Sequence, residues 1–463
     1  MKTSGDILLV SCYELGHQPF HLASLSATLQ QAGYDPVAVD TAVETLTDDA
    51  LRRAHLVAIS VPMHTALRLG EQIARRVRRI NPNAHICLYG LYALLNADHL
   101  LEDTIDSAIG GEYETPLLHL VTALDQRQLL SLPGVRTRTT QSGPWIQRTP
   151  FVTPQRAHLP TLDNYARLQI DNQVFVAGYT EATRGCKHTC LHCPITPIYG
   201  GRFFAVPIET VMADIRAQVL QGARHITFGD PDFWNGPTHA LRIARALHDE
   251  FPGVTFDATI KVEHLLKHSH LLPQMKAYGC AFIVSAVESM NDDVLRHLDK
   301  GHTSHDIARV FDSTQELGVP IRPSLLPFSP WETLESYLTL LDFFEQHHLV
   351  EHLDPVHLSI RLLIPPGSAL LDTPDATSWL GALDAENYTY TWRHPDPRMD
   401  TLQRDSATLV EQADTNQSDT VETFFRIKAL AYALAGTTIS IEQARQNYGT
   451  PQILPHLTES WFC

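Results

Sequence analysis

Short apolar runs alternate with helical segments along most of this 463-residue chain, and this alternation constrains the fold more than any other feature. The segment 21–34 has apolar residues three and four positions apart and a stop at Gly33, as in an amphipathic helix. Strand–helix alternation predicts an α/β domain with a Rossmann-like (flavodoxin-like), doubly wound parallel sheet, which binds ligands at the carboxyl ends of its strands. Within residues 1–125 the predicted strands are 6–12, 35–40, 55–61, 84–90 and 106–111.

The alternation stops once and then resumes. Residues 126–170 are polar, lack a period and contain five prolines, so we expect a linker after a first domain of residues 1–125. Residues 371–463 predict a mostly helical C-terminal region. Between the linker and the C-terminal region, the pattern of residues 171–370 predicts a partial (β/α)6 barrel, whose chemistry takes place at the carboxyl ends of its strands. Its predicted strands are 173–179, 225–230, 255–260, 281–288, 319–328 and 356–365.

Charge and hydropathy argue against several classes of function. The net charge is -17, from 35 basic and 52 acidic residues with no basic block, which argues against a nucleic-acid partner. No apolar run approaches the ~18 residues of a membrane span, and the apolar core 7–10 is too short for a secretory signal. Seven cysteines, three of them clustered, indicate a reducing compartment and metal use. We therefore expect a cytoplasmic protein without a membrane partner.

The three clustered cysteines, Cys186, Cys190 and Cys193, directly follow the first predicted barrel strand. Three thiolates in one loop suit three irons of a [4Fe–4S] cluster, whose fourth iron then takes a ligand from outside the protein. A structural zinc site is the alternative, and it needs a fourth ligand. His188 or His192 could supply that ligand. The spacing by itself leaves both interpretations open.

Several ordered motifs resemble the radical S-adenosylmethionine (SAM) superfamily over about residues 172–366. They are Arg184-Gly185, the CxxxCxxC loop, GDPDF (229–233), DATIK (257–261), the segment 285–303, PFSPWET (327–333) and PPGS (365–368). The resemblance implies that the three cysteines hold a [4Fe–4S] cluster and that SAM chelates the open iron. One electron, from a donor such as flavodoxin or ferredoxin, then cleaves SAM to a carbon radical that acts on a small-molecule substrate.

The resemblance also implies which residues contact SAM. It places His192 near the adenine, although the family usually has an aromatic residue there. It places Lys261 near the carboxylate. The SAM ammonium group would be received after the second strand by Gly229, Asp230 and Asp232. The ribose or methionine part of SAM would be contacted on the fourth strand by Ser285 and Glu288. The alternative for His192 is an ordinary loop histidine. The alternative for the residues after the second strand is a turn or helix cap, and for Lys261 it is a surface lysine.

Other histidines are expected to have no role in the chemistry. His17 and His21 follow the first strand, and we expect them to be structural. We expect His264, His268, His270 and the pair 347–348 to lie on solvated helix faces.

The first domain resembles the cobalamin-binding domain that precedes many radical SAM domains. The matching positions are Ser60, Gly90, and Gly111-Glu112 with Glu114. The second glycine of the usual pair is Leu91 here, and no D-x-H-x-x-G sequence supplies a lower histidine ligand. The resemblance implies bound cobalamin; the alternative is a domain of the same fold that binds none.

The chain ends in Trp461, Phe462 and Cys463. The cysteine loop and this ending resemble the CUAEP/CCAEP-tail radical SAM (seleno)proteins, which implies a catalytic role for Cys463 and a native chain that continues through a selenocysteine codon. The domain order implies a cobalamin-dependent methyl transfer to a small molecule. The alternatives are a radical rearrangement, an aminocarboxypropyl transfer to a soft nucleophile (thiol, selenium or arsenic), and a non-catalytic cobalamin or metal sensor.

Overall fold

The first sheet follows the predicted strands closely. In this computed structural model, which describes residues 1–128, 131–170 and 173–458, five parallel strands have the order β2-β1-β3-β4-β5, and β6 adds antiparallel to β5. This is the flavodoxin-like order, so the predicted fold class is confirmed. The strands are β1 (Ile7–Ser11), β2 (Val37–Asp40), β3 (Leu56–Ser60), β4 (His85–Tyr89), β5 (Ser107–Ile109) and β6 (Val135–Thr137).

Helices cover both faces of this sheet. Every residue of β1 and β3 is therefore buried, and both strands are apolar up to a terminal serine. The helices are α1 (Phe20–Gln31), α2 (Asp48–Arg53), α3 (His64–Ile80), α4 (Leu91–Leu95), α5 (Ala97–Asp103) and α6 (Glu114–Asp125).

The second sheet is the partial barrel. Five of its strands are parallel, in the order β14-β13-β12-β11-β8, and β7 pairs antiparallel with β8. A separate antiparallel hairpin joins β9 to β10. The strands are β7 (Arg167–Ile170), β8 (Gln173–Thr180), β9 (Thr183–Gly185), β10 (Phe203–Ala205), β11 (His225–Phe228), β12 (Thr255–Thr259), β13 (Cys280–Glu288) and β14 (Ile321–Leu325).

The barrel helices pack outside these strands and bury one large apolar core. They are α7 (Thr196–Tyr199), α8 (Ile208–Leu220), α9 (Pro237–Glu250), α10 (Val262–Lys267), α11 (Leu272–Ala277), α12 (Asp292–His297), α13 (Ser304–Leu317) and α14 (Leu334–Gln346).

Two predicted segments differ in detail. The predicted sixth barrel strand, 356–365, is reduced to one parallel bridge between Phe328 and Arg361. Phe328 lies between Pro327 and Pro330, which have no N–H group to extend a ladder. The stretch 126–170, predicted to be a linker, supplies β6 to the first sheet and β7 to the second.

The C-terminal region is mostly helical, as predicted, and also contains a short hairpin. Helix α16 packs on α14, and β17 pairs antiparallel with β7 at the edge of the barrel sheet. Its elements are β15 (Leu380–Asp384), β16 (Thr389–Trp392), α15 (Pro397–Thr415), α16 (Thr420–Leu434), α17 (Ile441–Tyr448) and β17 (His456–Leu457). No helix in the described part of the chain combines the length and apolarity needed to cross a bilayer.

Candidate active site

The loop that carries the three cysteines is closed at its base by the β9–β10 hairpin. Gly185 pairs with Phe203 there, directly before Cys186. Within the loop, the Cys190 carbonyl accepts hydrogen bonds from the Cys193 N–H (3.2 Å) and the Thr196 hydroxyl (2.8 Å). Backbone and hydroxyl groups therefore fix the path of the loop that carries the three thiols.

The surroundings of the thiols suit an iron–sulfur cluster. Burial raises the pKa of Cys186 to about 12 and that of Cys193 to about 11, so both are protonated until a metal cation displaces the proton. The backbone N–H groups of His188 and Ile195 donate to Cys186 and Cys193 respectively. N–H donation to sulfur tunes such clusters, and it stabilises the thiolate form that binds iron.

His192 and Glu288, which the sequence predicted separately, meet in the structure. His192 Nε2 lies 3.2 Å from Glu288 Oε1, and Lys300 Nζ donates to the same oxygen at 3.0 Å. Burial by itself would raise the pKa of Glu288, but Lys300 and the hydrogen bond from His192 lower it well below its usual range. Glu288 also has a positive φ of 67°, a backbone conformation that is rare outside glycine.

Asp230 and Ser285 have partners within the protein. Asp230 accepts hydrogen bonds from the Ala182 N–H at 2.9 Å and the Thr183 hydroxyl at 2.6 Å. The Ser285 hydroxyl donates to the Ile260 carbonyl at 2.7 Å. Asp230 therefore holds the start of β9, and with it the cysteine loop.

Gly229 is required by a close approach to Tyr179. A Cβ at Gly229 would lie 1.8 Å from the Tyr179 hydroxyl oxygen. We therefore expect Gly229→Ala to displace the half-buried Tyr179 ring and to lower the free energy of unfolding by about 1–3 kcal/mol. Thermal unfolding measures this change. Gly253→Ala is the matched control, because no atom lies within 4 Å of its Cβ position, and equal melting of the two variants would contradict the prediction.

His264 corrects one expectation from the sequence. The sequence placed it on a solvated face, but its side chain is 1% exposed and its Nδ1 lies 2.6 Å from Asp232 Oδ2. The short α10 turns its first residues towards the cysteine loop, where His188 Nε2 lies 3.2 Å from His264 Nε2. Lys261 Nζ lies 3.3 Å from His188 Nδ1. His270 and the pair 347–348 are exposed, as predicted.

The residues predicted for the first domain lie along the carboxyl edge of its sheet. Ser60 ends β3, Gly90 follows β4, and Gly111 and Glu112 follow β5. Gly111 is covered by the chain itself, because a Cβ there would lie 2.5 Å from the Trp145 carbonyl oxygen. Glu112 accepts a hydrogen bond from the Tyr199 hydroxyl at 2.8 Å, which joins this edge to the cysteine loop.

Two structural histidines were predicted beside this edge. His17 is buried, with its ring centroid 4.7 Å from that of Tyr179. His21 Nδ1 lies 3.1 Å from Glu14 Oε1. Both histidines therefore have contacts within the protein that are consistent with a structural role. Cys463 lies outside the described residues, as do Trp461 and Phe462.

A buried arginine connects the two sheets, and the sequence did not reveal its partners. Arg184 donates to Glu114 Oε1 at 2.6 Å, to Glu181 Oε2 at 2.9 Å and to Glu112 Oε2 at 3.4 Å. Two of these carboxylates belong to the first domain, and Arg184 stands two residues before Cys186. The motif showed Arg184-Gly185, but only the fold shows which anions it meets.

The comparisons with known proteins agree with this geometry. The radical SAM superfamily matches residues 180–344. The chain thus contains a radical SAM domain and is a radical SAM enzyme. An uncharacterized methyltransferase of Pyrococcus horikoshii is 22% identical over 388 residues, which are 80% of this chain and 81% of the relative.

Two solved structures resemble almost the whole chain. The cobalamin-dependent SAM radical enzyme OxsB, with aqua-cobalamin bound, matches with a TM-score of 0.72 and 13% identity over 96% of this chain and 74% of its own. The radical SAM methyltransferase TsrM from Kitasatospora setae, with cobalamin and a [4Fe-4S] cluster bound, matches with a TM-score of 0.66 and 15% identity over 97% of this chain and 100% of its own. At these identities the likeness shows the fold.

Proposed function

We propose that this chain is a cobalamin-dependent radical SAM methyltransferase that acts on a small molecule. The observation that carries the proposal is the shared arrangement of both domains. The likeness to two cobalamin-bound structures extends over 96% and 97% of this chain, not over the barrel alone. The Pyrococcus relative, also described as a methyltransferase, supports the same reaction class.

In this proposal Cys186, Cys190 and Cys193 hold a [4Fe–4S] cluster and leave one iron for SAM. When bound, the cluster supplies the electron that cleaves SAM, and cobalamin carries the methyl group. An electron donor of the flavodoxin or ferredoxin type, in the cytoplasm, would reduce the cluster. The base of the loop is held by Asp230 through the start of β9, so Asp230 acts by positioning the cysteines.

The remaining SAM contacts stay predictions. His192 can stack on the adenine while Glu288 and Lys300 fix its ring. The peptide at Gly229 and the side chains of Asp232, Lys261 and Ser285 lie at or beside the carboxyl ends of β11, β12 and β13, where the family contacts SAM.

The edge of the first sheet has polar groups that fit a cofactor rich in hydrogen-bonding amides. The hydroxyls of Ser11, at the end of β1, and Tyr113, after β5, are buried and have no hydrogen bond within the described ranges. Such groups are costly to bury unpaired. Together with Ser60 and Gly90 they would hold cobalamin along this edge, with no histidine of a D-x-H-x-x-G motif as lower ligand.

Product analysis tests the proposal. The protein is reconstituted with iron and sulfide without oxygen, loaded with hydroxocobalamin, passed through gel filtration and reduced in the presence of SAM. We expect the visible spectrum of cobalamin to elute with the protein, and both 5′-deoxyadenosine and S-adenosylhomocysteine to form. Methylthioadenosine would instead support aminocarboxypropyl transfer to a soft nucleophile. 5′-Deoxyadenosine alone, without retained cobalamin, would support a radical rearrangement. An intact cluster without turnover would support a sensor.

We also propose, from the tail resemblance, that Cys463 takes part in the reaction. A Cys463→Ser variant should keep SAM cleavage, because the cluster ligands are unchanged, and should lose product formed from the substrate. Unchanged product formation in that variant would remove Cys463 from the mechanism.

A further inference from the structure

Three side chains from three separate elements converge beside the cysteine loop. His188 belongs to that loop, Asp232 follows β11, and His264 lies in α10. One ligand atom from each lies within 4.8 Å of the other two. Asp232 and His264 are 2% and 1% exposed, and His188 is 14% exposed. This group of three side chains is therefore buried, and His188 is its most exposed member.

Asp232 is oriented so that one carboxylate oxygen faces the two imidazoles. Its Oδ1 accepts a hydrogen bond from the Trp234 N–H at 3.0 Å and so caps the turn Phe233–Asn235. Its Oδ2 lies 2.6 Å from His264 Nδ1 and 3.5 Å from His188 Nε2. Neither Oδ2 nor His264 Nδ1 has a hydrogen bond of acceptable geometry within the described ranges. Two buried polar atoms thus face each other without the alignment that would satisfy them.

We propose that His188, Asp232 and His264 bind one divalent first-row transition-metal ion, with zinc as the representative case. Ligand bonds of about 2.0–2.1 Å in a tetrahedral site place neighbouring ligand atoms about 3.3 Å apart. His188 Nε2 lies 3.5 Å from Asp232 Oδ2 and 3.2 Å from His264 Nε2, close to this spacing. The third short distance, 2.6 Å, joins Asp232 Oδ2 to the other ring nitrogen of His264, Nδ1, so His264 must present one of its two nitrogens to the ion. Two imidazoles and one carboxylate are ligands that such ions accept, and three protein ligands leave a position open to water or substrate.

The surroundings of His188 suit a metal ligand. Glu263 Oε2 lies 3.7 Å from His188 Nδ1, so a carboxylate is near the second ring nitrogen, as is common for metal-bound histidines. Lys261 Nζ lies 3.3 Å from both His188 Nδ1 and Glu263 Oε2.

The proposed site is distinct from the cysteine site. On spacing, His188 was a possible fourth ligand of a zinc ion held by the cysteines. In the structure its Nε2 faces Asp232 and His264 instead. Because the cysteine site offers sulfur and the new site offers nitrogen and oxygen, the two sites differ in the ions they prefer. The inference goes beyond the proposed methyl transfer and does not depend on it, but it assigns Asp232 to the metal ion in place of the predicted SAM contact.

Zinc binding to the full-length protein tests the inference. The protein is first reconstituted with its iron–sulfur cluster, then equilibrated with Zn²⁺, passed through gel filtration and measured by mass spectrometry for zinc and iron. We expect one zinc per chain in the wild type. Asp232→Asn and His264→Gln keep the side-chain shape, and each should weaken zinc binding by about tenfold or more. His270→Gln is the matched control, since His270 is exposed in the same region, and it should bind as the wild type does.

X-ray absorption at the zinc edge identifies the ligands. We expect nitrogen and oxygen at about 2.0–2.1 Å and no sulfur. The inference is overturned by sulfur around zinc, by equal zinc content in Asp232→Asn and the wild type, or by a wild type that binds none. His188→Gln, on the more exposed ligand, provides a third variant if His264→Gln fails to fold, as judged by circular dichroism.

Discussion

Cys190→Ala is expected to abolish reductive cleavage of SAM. Cys190 is 8% exposed, and its carbonyl, which alanine retains, accepts the hydrogen bonds that shape the loop. The substitution therefore removes a thiolate while leaving the backbone that positions Cys186 and Cys193. Without three thiolates the cluster cannot be held with a single open iron. The loss is chemical, so the variant should melt at nearly the same temperature as the wild type before reconstitution.

Anaerobic reconstitution followed by iron analysis and detection of 5′-deoxyadenosine measures this effect. The wild type should bind about four irons per chain and cleave SAM, and Cys190→Ala should do neither to a comparable extent. Cys280→Ala is the control, because Cys280 begins β13 at the opposite end of the barrel strands, where its thiol packs in the apolar core and donates to the Phe282 carbonyl. Cleavage that persists in Cys190→Ala would refute the cluster assignment.

The parts of the fold that could be predicted are those that local pattern determines. Continuous apolar runs identified all five parallel strands of the first sheet and the five parallel strands of the barrel. Cysteine spacing identified the loop, since its ligands are close in sequence. The sixth barrel strand was not predictable in this way. Its apolar pattern is real, but prolines on the neighbouring segment remove the N–H groups that a longer ladder would need.

The parts of the site that were missed depend on contacts distant in sequence. Arg184 is 70 residues from Glu114 and 72 from Glu112, and no periodicity connects them. His264 lies in a segment with a helical pattern, and that pattern allows its side chain to face either the solvent or the interior of the barrel. Its position three residues after Lys261, at the end of a barrel strand, was the one signal that it could face the site, because strand ends of this fold point there.

Arg184→Met is expected to destabilise the folded protein by about 3–5 kcal/mol, because it leaves buried carboxylates without their cation. Burial raises the pKa of Glu112 to about 7 even with Arg184 present, and burial also raises that of Glu181. Burial opposes ionisation of Glu114 too, but Arg184 and the Ser24 hydroxyl lower its pKa overall. The guanidinium also packs 5.3–5.5 Å from the ring centroids of Phe20, Tyr113 and Phe151, contacts that methionine replaces only in part.

The pH dependence separates this mechanism from a simple loss of packing. In Arg184→Met the glutamates should have folded-state pKa values above their unfolded values, so folding favours their protonated forms. Stability from those forms is present at acid pH and is lost as pH rises through the folded pKa. The deficit relative to the wild type should therefore be largest near neutral pH and smaller near pH 5, measured by urea unfolding at each pH.

Two further variants complete the test. Arg216→Met breaks an exposed pair with Glu250, and it should change stability little at any pH. Arg184→Met combined with Glu114→Gln removes one uncompensated charge and should recover part of the lost stability. A deficit in Arg184→Met that is independent of pH and unchanged by Glu114→Gln would mean that Arg184 acts through packing alone. Recovery in the double variant would instead show that Arg184 stabilises the fold by charge pairing with carboxylates of both sheets.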